Sequence, residues 1–287
     1  MQIPRSTEMR PILVTGFESF GAMDSNHSWE VAKAITQQIG DQNAMCKLLS
    51  VDEEGTKIAS RLIKLGEYSG VLHLGIAMDR ERVCIEIQAK NRYAVGRTDN
   101  SGRILRVGEI VNEAPENIKT TLSRHVIDEF VEESDDLILS FDCGGYICNE
   151  TYFRSLNSVI ESDIRSESRP LPVLFIHLPP IELLSLDSQI KAVADIAEAL
   201  LRPPVMLVVG ALLRDPSGRI LSCRRPPEDE WSGWYEFPGG KVSREETLIE
   251  AVSREIAEEL GIRITPGKEV AREFYSYEDR TVDLRII

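Results

Sequence analysis

Residues 240–262 read GKVSREETLIEAVSREIAEELGI, and this stretch predicts an amphipathic helix that carries an acidic patch. Ser243 and Glu246 have the spacing of a capping box, so we expect the helix to begin there. The apolar residues recur at helical spacing, as Ile249, Val252, Ile256 and Leu260. Three glutamates fall at i, i+3 and i+4, as Glu255, Glu258 and Glu259. Because like charges at this spacing repel, the patch predicts a site for a hard divalent cation, Mg²⁺ or Mn²⁺.

The alternative interpretation of these glutamates is a solvated acidic face, which most glutamate-rich helices present. The surrounding sequence favours the metal site. The segment 240–262 fills every fixed position of the Nudix box, and the EFPG at 236–239 matches the strand and turn that precede the box in that family. Residues 206–213, the turn 215–218 and residues 219–225 predict a hairpin ahead of it. The region 204–287 therefore resembles a Nudix hydrolase, a nucleoside-diphosphate hydrolase of α/β/α fold with a mixed sheet.

This resemblance implies roles for particular residues. The implied metal ligands are the Gly239 carbonyl and the carboxylates of Glu255, Glu258 and Glu259. The residues that we expect to contact nucleotide phosphates are Arg224, Arg225 and Arg254. Arg254 is also expected to orient the neighbouring carboxylates, and Trp231 or Trp234 is a candidate base platform. The segment 223–238 is most similar to the type that hydrolyses 8-oxo-dGTP, although ADP-sugar hydrolases share much of it.

The length and composition of the chain restrict its class. A chain of 287 residues is long enough for two ordinary domains. No segment reads as a membrane span or a signal peptide, and the five cysteines lack the spacing of a disulfide framework, so we expect a cytosolic protein with free thiols. The net charge of −14 argues against binding nucleic-acid polymers. A free nucleotide carried in with a metal remains compatible with that charge.

Residues 10–201 alternate predicted strands with predicted amphipathic helices. The predicted strands are at 11–15, 47–51, 70–77, 83–89, 137–141 and 172–178. The predicted helices are at 28–39, 54–65, 116–133, 149–161 and 187–201. This alternation predicts an α/β fold, an α/β/α sandwich around a largely parallel sheet. The remaining predicted parts are an unpatterned extension at 1–9, a linker at 202–204 and a second domain at 205–287.

The first predicted domain offers a cysteine and a histidine at positions suited to nucleophilic catalysis. His177 lies near the C-terminal end of a predicted strand, where α/β sheets gather ligands. Cys148 follows a glycine turn at the predicted start of a helix, whose N-terminus favours a thiolate. We therefore expect a cysteine nucleophile with a histidine base, if the fold brings the two together. The other three histidines, which we expect to be structural or solvated, are His27, His73 and His125.

Residues 10–200 resemble pyroglutamyl peptidase I, a family of cysteine peptidases. The segment VTGFESFG at 14–21, followed by Asn26, is similar to that family's opening strand and substrate loop. The resemblance implies that Phe17 and Phe20 flank a pyroglutamyl ring. The segment 75–91 is similar to the stretch that supplies a catalytic glutamate, which falls here at Glu86.

The same resemblance assigns the remaining roles. Cys148 matches the nucleophile and His177 the base, while the backbone amides near Gly144, Gly145 and Cys148 are implied to stabilise an oxyanion. The resemblance implies no metal or cofactor for this domain. Several residues depart from the family pattern, namely Met78, Cys84, Ile87, Cys143 and Glu150. Cys143 stands where a small residue is usual, and Glu150 where a neutral one is common. We expect the Glu150 carboxylate to oppose thiolate formation unless it points to solvent.

These observations predict a bifunctional hydrolase that acts on pyroglutamyl peptides and on free nucleotides, without binding a membrane. The alternative is that only one domain is catalytic and the other is a retained binding or regulatory module. The sequence stops within a predicted central strand at 281–287, from which we expect an incomplete Nudix domain with poor Mg²⁺-dependent turnover. We also expect an exposed strand edge there, through which a homo-oligomer can form. The residues of that predicted edge are Val282, Leu284, Ile286 and Ile287.

Overall fold

The computed structural model describes residues 10–21, 25–93, 96–166, 169–201, 205–228, 231–276 and 281–287. The chain divides into two compact units: the first comprises Met1–Leu122 and Val126–Arg202, and the second comprises Ser123–His125 and Pro203–Ile287. The predicted extension at 1–9 and the predicted linker at 202–204 lie outside the described residues. None of the described helices is long and apolar enough to cross a membrane.

The described part of residues 10–201 alternates strands and helices, as the sequence predicts. The helices are α1 (His27–Ile39), α2 (Glu53–Ile63), α3 (Arg124–Glu133), α4 (Ile147–Glu161) and α5 (Leu186–Leu201). The first strands are β1 (Ile12–Phe17), β2 (Ala44–Leu49), β3 (Gly70–Ile76), β4 (Val83–Glu86), β5 (Gln88–Lys90) and β6 (Arg97–Thr98). The next are β7 (Ile104–Leu105), β8 (Asn117–Lys119), β9 (Leu137–Ser140), β10 (Arg165–Ser166), β11 (Arg169–Pro170) and β12 (Val173–Leu178).

A six-stranded sheet in the order β2-β1-β3-β12-β4-β9 organises this unit. Its pairs are parallel except where β12 meets β4, which runs antiparallel. The central strands β1, β3 and β12 are buried along their whole length, which explains why they read as continuous apolar runs. The predicted α/β fold with a largely parallel sheet is therefore confirmed.

Helices cover both faces of this sheet. Apolar residues of α1 and α5, such as Ile35 and Ile196, pack on one face against β1 and β3. Residues of α2 and α4, such as Ile63 and Phe153, pack on the opposite face. Burying a side chain of this size stabilises the fold by ~1.5–3 kcal/mol. The second face is the one that carries α4, the helix on which Cys148 lies.

Two predicted elements in this region are wrong in their extent. The helix predicted at 116–133 begins only at Arg124, because residues 117–119 form β8 and pair with β5. The strand predicted at 83–89 is divided into β4 and β5. The division follows from a change of partner: β4 pairs with β9 and β12, whereas β5 pairs with β8.

The second unit is built on a mixed four-stranded sheet. Its elements are β13 (Val205–Gly210), β14 (Cys223–Arg224), β15 (Tyr235–Glu236), β16 (Gly239–Lys241), α6 (Leu248–Leu260), β17 (Ala271–Ser276) and β18 (Thr281–Ile286). The sheet has the order β16-β13-β18-β17. The buried face of α6, formed by Ala251, Val252 and Ile256, packs against Val209 and Ala211 at the end of β13.

The start of α6 differs from the prediction. The helix begins at Leu248, and its capping box is Thr247 with Glu250: the Glu250 backbone N–H donates to Thr247 Oγ1 at 3.2 Å, and the Thr247 N–H donates to the Glu250 carboxylate at 2.8 Å. Ser243 and Glu246 have the same spacing but close a turn, in which the Ser243 N–H donates to Glu246 at 2.5 Å. Ile249, predicted on the apolar face, is 44% exposed.

The predicted hairpin and the predicted strand edge are also corrected. Around the turn at 215–218 the hairpin is present, since the Leu221 N–H donates to the Leu213 carbonyl oxygen at 3.0 Å and Arg214 and Ile220 form an antiparallel bridge. Its outer parts pair elsewhere: β13 pairs with β16 and β18, while β14 pairs with β15. The last strand, β18, is hydrogen-bonded on one side to β13 and on the other to β17. The edge expected at Val282, Leu284, Ile286 and Ile287 is therefore wrong.

A buried ion-pair network anchors α4 in the first unit. The Glu150 carboxylate is inaccessible to solvent and accepts hydrogen bonds from Arg103 Nη2 at 2.8 Å, Arg154 Nη2 at 2.8 Å and the Tyr93 hydroxyl at 3.0 Å. Arg103 also bonds Asp99, whose side chain is equally buried. Removing one partner of such a network leaves the others buried and unpaired, which is far more costly than losing an exposed pair.

We expect Glu150→Ala to lower the free energy of opening of α4 by about 3 kcal/mol, because it removes the carboxylate that the mostly buried Arg154 bonds and takes one carboxylate partner from Arg103. The matched control is Glu54→Ala, which breaks an exposed pair with Arg61 and should cost no more than about 1 kcal/mol. Amide hydrogen exchange on the peptides of α4 measures both variants without requiring the whole chain to unfold in one step. Equal losses in the two variants would contradict the role given to the network.

Candidate active site

The site is built around a buried hydrogen bond between two neighbouring strands of the sheet. In the antiparallel pair β12–β4, Phe175 lies opposite Glu86 and His177 lies opposite Cys84, so Glu86 and His177 are diagonal neighbours on one face. His177 Nδ1 and Glu86 Oε1 are 2.8 Å apart. Glu86 is fully buried and His177 is 5% exposed. The carboxylate therefore fixes the imidazole and leaves its other nitrogen for a second partner.

Cys148 is that second partner. It lies in the first turn of α4, directly after a turn in which Gly144 has a φ of +79°. The N-cap residue, Tyr146, makes no side-chain cap hydrogen bond, so no capping side chain competes for the N–H groups at this end of the helix. The thiol lies near His177, and hydrogen bonding and charge from Cys148 are among the causes that raise the pKa of the imidazole. Because Glu86 occupies Nδ1, Nε2 is the ring nitrogen left for the thiol, and the three residues follow one another from thiol to imidazole to carboxylate.

The charge on His177 is strongly stabilised by its neighbours. Burial alone would lower the pKa of His177, but hydrogen bonds to Cys148 and Glu86 and the negative charge that each can carry outweigh it and raise the pKa to about 9. The imidazole can therefore hold, at neutral pH, the proton that the thiol gives up. Proton transfer between a thiol and a buried imidazole in this geometry is what nucleophilic catalysis by cysteine requires.

The structure confirms that His73 is structural and accounts for His27. His73 Nδ1 is 2.8 Å from Thr15 Oγ1, and its Nε2 is 3.0 Å from Ser155 Oγ. Complete burial lowers the pKa of His73 to about 3, so the ring is neutral. His27 Nε2 lies 3.1 Å from the Pro179 carbonyl oxygen, and burial is the main cause of its lowered pKa.

The sequence predicts that Glu150 opposes thiolate formation unless its side chain points to solvent. In the structure this side chain is buried, and yet it does not face the thiol. It lies two residues after Cys148, about 200° around the helix, where Arg103 and Arg154 neutralise it. The other nearby thiols are disfavoured as nucleophiles. Burial raises the pKa of Cys84 to about 11 and raises that of Cys143 well above its ordinary value.

A cavity of about 790 Å³ opens in front of Cys148 and His177. The predicted substrate-binding residues all line it: Phe17, Phe20, Asn26, Gly144 and Gly145. The Phe17 ring is 6.4 Å from the Phe175 ring, and the Phe20 ring is 6.1 Å from the Tyr146 ring, so both are held by aromatic neighbours. Asn26 caps α1 by accepting from the Ser28 N–H at 3.1 Å, and its amide donates to the Glu18 carbonyl oxygen at 3.0 Å.

Three residues that the sequence analysis did not assign also shape the site. Gly75 leaves space for the nucleophile, since a Cβ atom there would lie 3.0 Å from Cys148 Sγ and 2.8 Å from the Phe175 ring. The Tyr152 hydroxyl donates to the Glu86 carbonyl oxygen at 3.0 Å. The Asn149 side chain bonds the backbone of Lys90 in both directions, at 2.8 and 2.9 Å. Helical spacing alone could have placed Tyr152 one turn beyond Cys148, but not opposite Glu86.

The second unit brings its predicted metal ligands to one end of α6. The Gly239 N–H donates to Glu259 Oε2 at 3.1 Å. A Cβ atom on Gly240 in β16 would come within 2.4 Å of the Glu255 carboxylate, so this carboxylate lies directly against the strand. Burial raises the pKa of Glu259, and repulsion from Glu255 and Glu258 adds to the shift. A divalent cation would relieve this repulsion, so the residues fit the metal that the sequence implies.

Arg254 is held by this patch. Its Nη1 donates to Glu255 at 2.7 Å and to Glu258 at 3.1 Å, while Nε and Nη2 bond Glu246 and the Lys241 carbonyl oxygen. All five donors are thereby used. This agrees with its expected role of orienting carboxylates, but a phosphate contact by Arg254 would require it to give up one of these bonds.

The other predicted nucleotide contacts lie at the surface of this unit. Arg224 is exposed, and Arg225 Nη2 pairs with Glu236 at 2.6 Å. Trp231 and Trp234 are 46% and 67% exposed, and their rings meet edge to face at 6.1 Å. An exposed indole of this kind is available for stacking on a base, so their role as a platform stays a prediction.

Comparison with known proteins agrees with the fold. Residues 10–199 match the family model described as pyroglutamyl peptidase, and residues 204–285 match the model described as NUDIX domain. The first match defines a hydrolase of the cysteine peptidase type, built on an α/β fold. The chain belongs to the pyroglutamyl peptidase family.

Individual relatives support both matches. The chain is 26% identical over 187 residues to the pyrrolidone-carboxylate peptidase of Thermococcus onnurineus, covering 63% of this chain and 94% of the relative. The crystal structure of pyrrolidone carboxyl peptidase from Thermus thermophilus superposes with a TM-score of 0.55 at 30% identity, over 64% of this chain and 96% of that one. The CTP pyrophosphohydrolase of Escherichia coli is 38% identical over 79 residues, which span 28% of this chain and 58% of that protein.

We expect Glu86→Gln to lower the pKa of His177, because the substitution removes a negative charge that raises this pKa while the burial that lowers it remains. In the parent protein, His177 should titrate near pH 9. Nuclear magnetic resonance of isotope-labelled imidazole rings measures the titration, and His73, which should stay neutral throughout, is the internal control. An unchanged midpoint in the variant would show that Glu86 does not hold the charge on His177.

Proposed function

We propose that the first unit removes N-terminal pyroglutamate from peptides. The observation that carries this proposal is the series Cys148–His177–Glu86 at the wall of a cavity that two phenylalanines line. A pyroglutamyl ring is a small neutral lactam without a free amino group. Phe17 and Phe20 offer it apolar surface, and the nearby backbone and Asn26 offer polar contacts for its amide.

In this reaction, Cys148 Sγ attacks the carbonyl carbon that joins the pyroglutamyl residue to the peptide, and His177 Nε2 takes the thiol proton. The amides near Gly144, Gly145 and Cys148 stabilise the oxyanion. When the carbon–nitrogen bond breaks, His177 returns the proton to the leaving amine, and a pyroglutamyl thioester remains on Cys148. Water, deprotonated by His177, then hydrolyses the thioester and frees the thiol. Glu86 keeps the ring oriented throughout.

We expect Cys148→Ala to lower kcat/KM for a fluorogenic pyroglutamyl amide by at least about 10³-fold, because no other group can form the thioester. The matched control is Cys143→Ala, which should keep most of the activity, since Cys143 lies on the cavity wall but outside the proton-transfer series. His177→Ala should be as severe as Cys148→Ala, because residues that act as one unit are not additive.

Two results of that comparison would contradict the assignment. One is activity that survives Cys148→Ala. The other is an equal loss in the Cys143 and Cys148 variants at unchanged secondary structure. A measurable rate with an amide that lacks the pyroglutamyl ring, equal to the rate with the ring, would contradict the proposed substrate rather than the nucleophile.

The acidic patch of α6 favours a second activity. We infer that the second unit hydrolyses a nucleoside di- or triphosphate, with Gly239, Glu255, Glu258 and Glu259 holding Mg²⁺ or Mn²⁺. The bound cation supplies charge stabilisation for the phosphates and an activated water. Candidate substrates are 8-oxo-dGTP, from the sequence resemblance, and CTP, from the name of the Escherichia coli relative. Arg224 and Arg225 are the expected phosphate contacts.

Glu258→Gln and Glu259→Gln should each weaken Mn²⁺ binding by about tenfold or more, because each removes a negative ligand from the patch. Glu245→Gln, an exposed glutamate outside the patch, is the control and should leave affinity unchanged. Electron paramagnetic resonance of free Mn²⁺ gives the affinity directly. Equal affinities in all four proteins would place the metal elsewhere.

The alternative, in which one unit is a retained binding or regulatory module, predicts a different pattern. The site of that unit would bind its ligand without turnover. Assays of pyroglutamyl amide cleavage and of metal-dependent nucleotide hydrolysis on the full chain separate these cases, since each substitution above affects only one of the two reactions.

A further inference from the structure

A second cluster of metal-binding groups lies in the first unit, at the inner side of the candidate active site. Glu86, Cys143 and His177 each place one ligand atom, a carboxylate oxygen, a thiol sulfur and a ring nitrogen, within 4.8 Å of the other two. The three residues are 0%, 3% and 5% exposed. Cys148 is not a member of this three-atom group, although it shares His177 with it.

One carboxylate oxygen of the cluster lacks a hydrogen-bond partner among the described residues. Glu86 Oε1 bonds His177, but Glu86 Oε2 is buried and has no hydrogen-bond partner among the described residues. A buried carboxylate oxygen without a partner carries an uncompensated desolvation penalty. A cation at this point would compensate that oxygen directly.

The donor set indicates which cation fits. A thiolate, an imidazole and a carboxylate are together the ligands of Zn²⁺ and related borderline transition metals, whereas Mg²⁺ and Ca²⁺ prefer oxygen alone. Access is available, because Cys143 and His177 line the cavity of about 790 Å³.

We propose that Glu86, Cys143 and His177 form a binding site for Zn²⁺ or a metal of the same class. On binding, the Cys143 thiol loses its proton to solvent as the sulfur–metal bond forms, and the His177 imidazolium releases one proton to solvent so that the freed nitrogen lone pair binds the metal. Metal binding and catalysis require the same two groups, because the Glu86 carboxylate and the His177 imidazole also act with Cys148. The metal therefore inhibits the peptidase; this consequence rests on the proposed function, whereas metal binding itself does not.

Binding is tested with Co²⁺ as a spectroscopic substitute on the full chain, in the presence of saturating Mg²⁺ to occupy the acidic patch of α6. Thiolate coordination gives a charge-transfer absorption that oxygen and nitrogen ligands do not give. The parent and Cys148→Ala proteins should both show this band, and Zn²⁺ should displace the Co²⁺. Cys143→Ala and Cys143→Ser should both lose it, with native circular dichroism confirming that they fold.

Inhibition gives the second readout. Cys143→Ala should raise the half-inhibitory Zn²⁺ concentration by at least about tenfold, since it removes a ligand. Equal Zn²⁺ inhibition of the parent and Cys143→Ala proteins would overturn the inhibitory site. A band that is lost in Cys148→Ala, or that persists in Cys143→Ala, would overturn the three-residue assignment. If no protein cleaves pyroglutamyl amides, the Co²⁺ band still decides the metal site.

Discussion

The buried hydrogen bond between Glu86 and His177 is the interaction on which the candidate site depends. It requires β4 to lie beside β12 in the antiparallel sense, because only that register makes the two side chains diagonal neighbours on one face. The other pairs of the sheet are parallel, and β12 is buried along its whole length because helices cover both faces of the sheet. Burial opposes the charge on His177, but hydrogen bonds to Cys148 and Glu86 and the negative charge of each outweigh it, so the pKa of His177 is raised.

The position of Cys148 depends on a second set of constraints, which tie α4 to the strand that carries the glutamate. Tyr152 holds the Glu86 backbone, and Asn149 holds the backbone of Lys90 on β5. On the other side of the helix, Glu150 is fixed by two arginines. These contacts fix both the rotation of α4 about its axis and the position of its first turn along that axis. The position of the Cys148 thiol beside the His177 imidazole is therefore set by the contacts of its helical neighbours.

Much of this arrangement could be predicted from the sequence, and the failures have identifiable causes. Apolar runs and helical periodicity predicted the alternating strands and helices around the sheet, and a glycine turn before Cys148 predicted a helix start near it. The helix predicted at 116–133 was wrong in its first part because pairing between β5 and β8 overrides local propensity. The start of α6 was wrong because Ser243 and Thr247 both have a glutamate three residues on, and only packing decides between them. Glu150 was misjudged because its arginine partner Arg103 is 47 residues away in the sequence.

The central claim is that Cys148, served by His177 and Glu86, forms a covalent pyroglutamyl intermediate. Rapid acid quenching of the full chain during turnover of a pyroglutamyl amide, followed by peptide mapping by mass spectrometry, tests it most directly. The account predicts a pyroglutamyl thioester on the peptide that contains Cys148, attached at that residue. Turnover with no adduct on Cys148, or with the adduct on another residue, would contradict it.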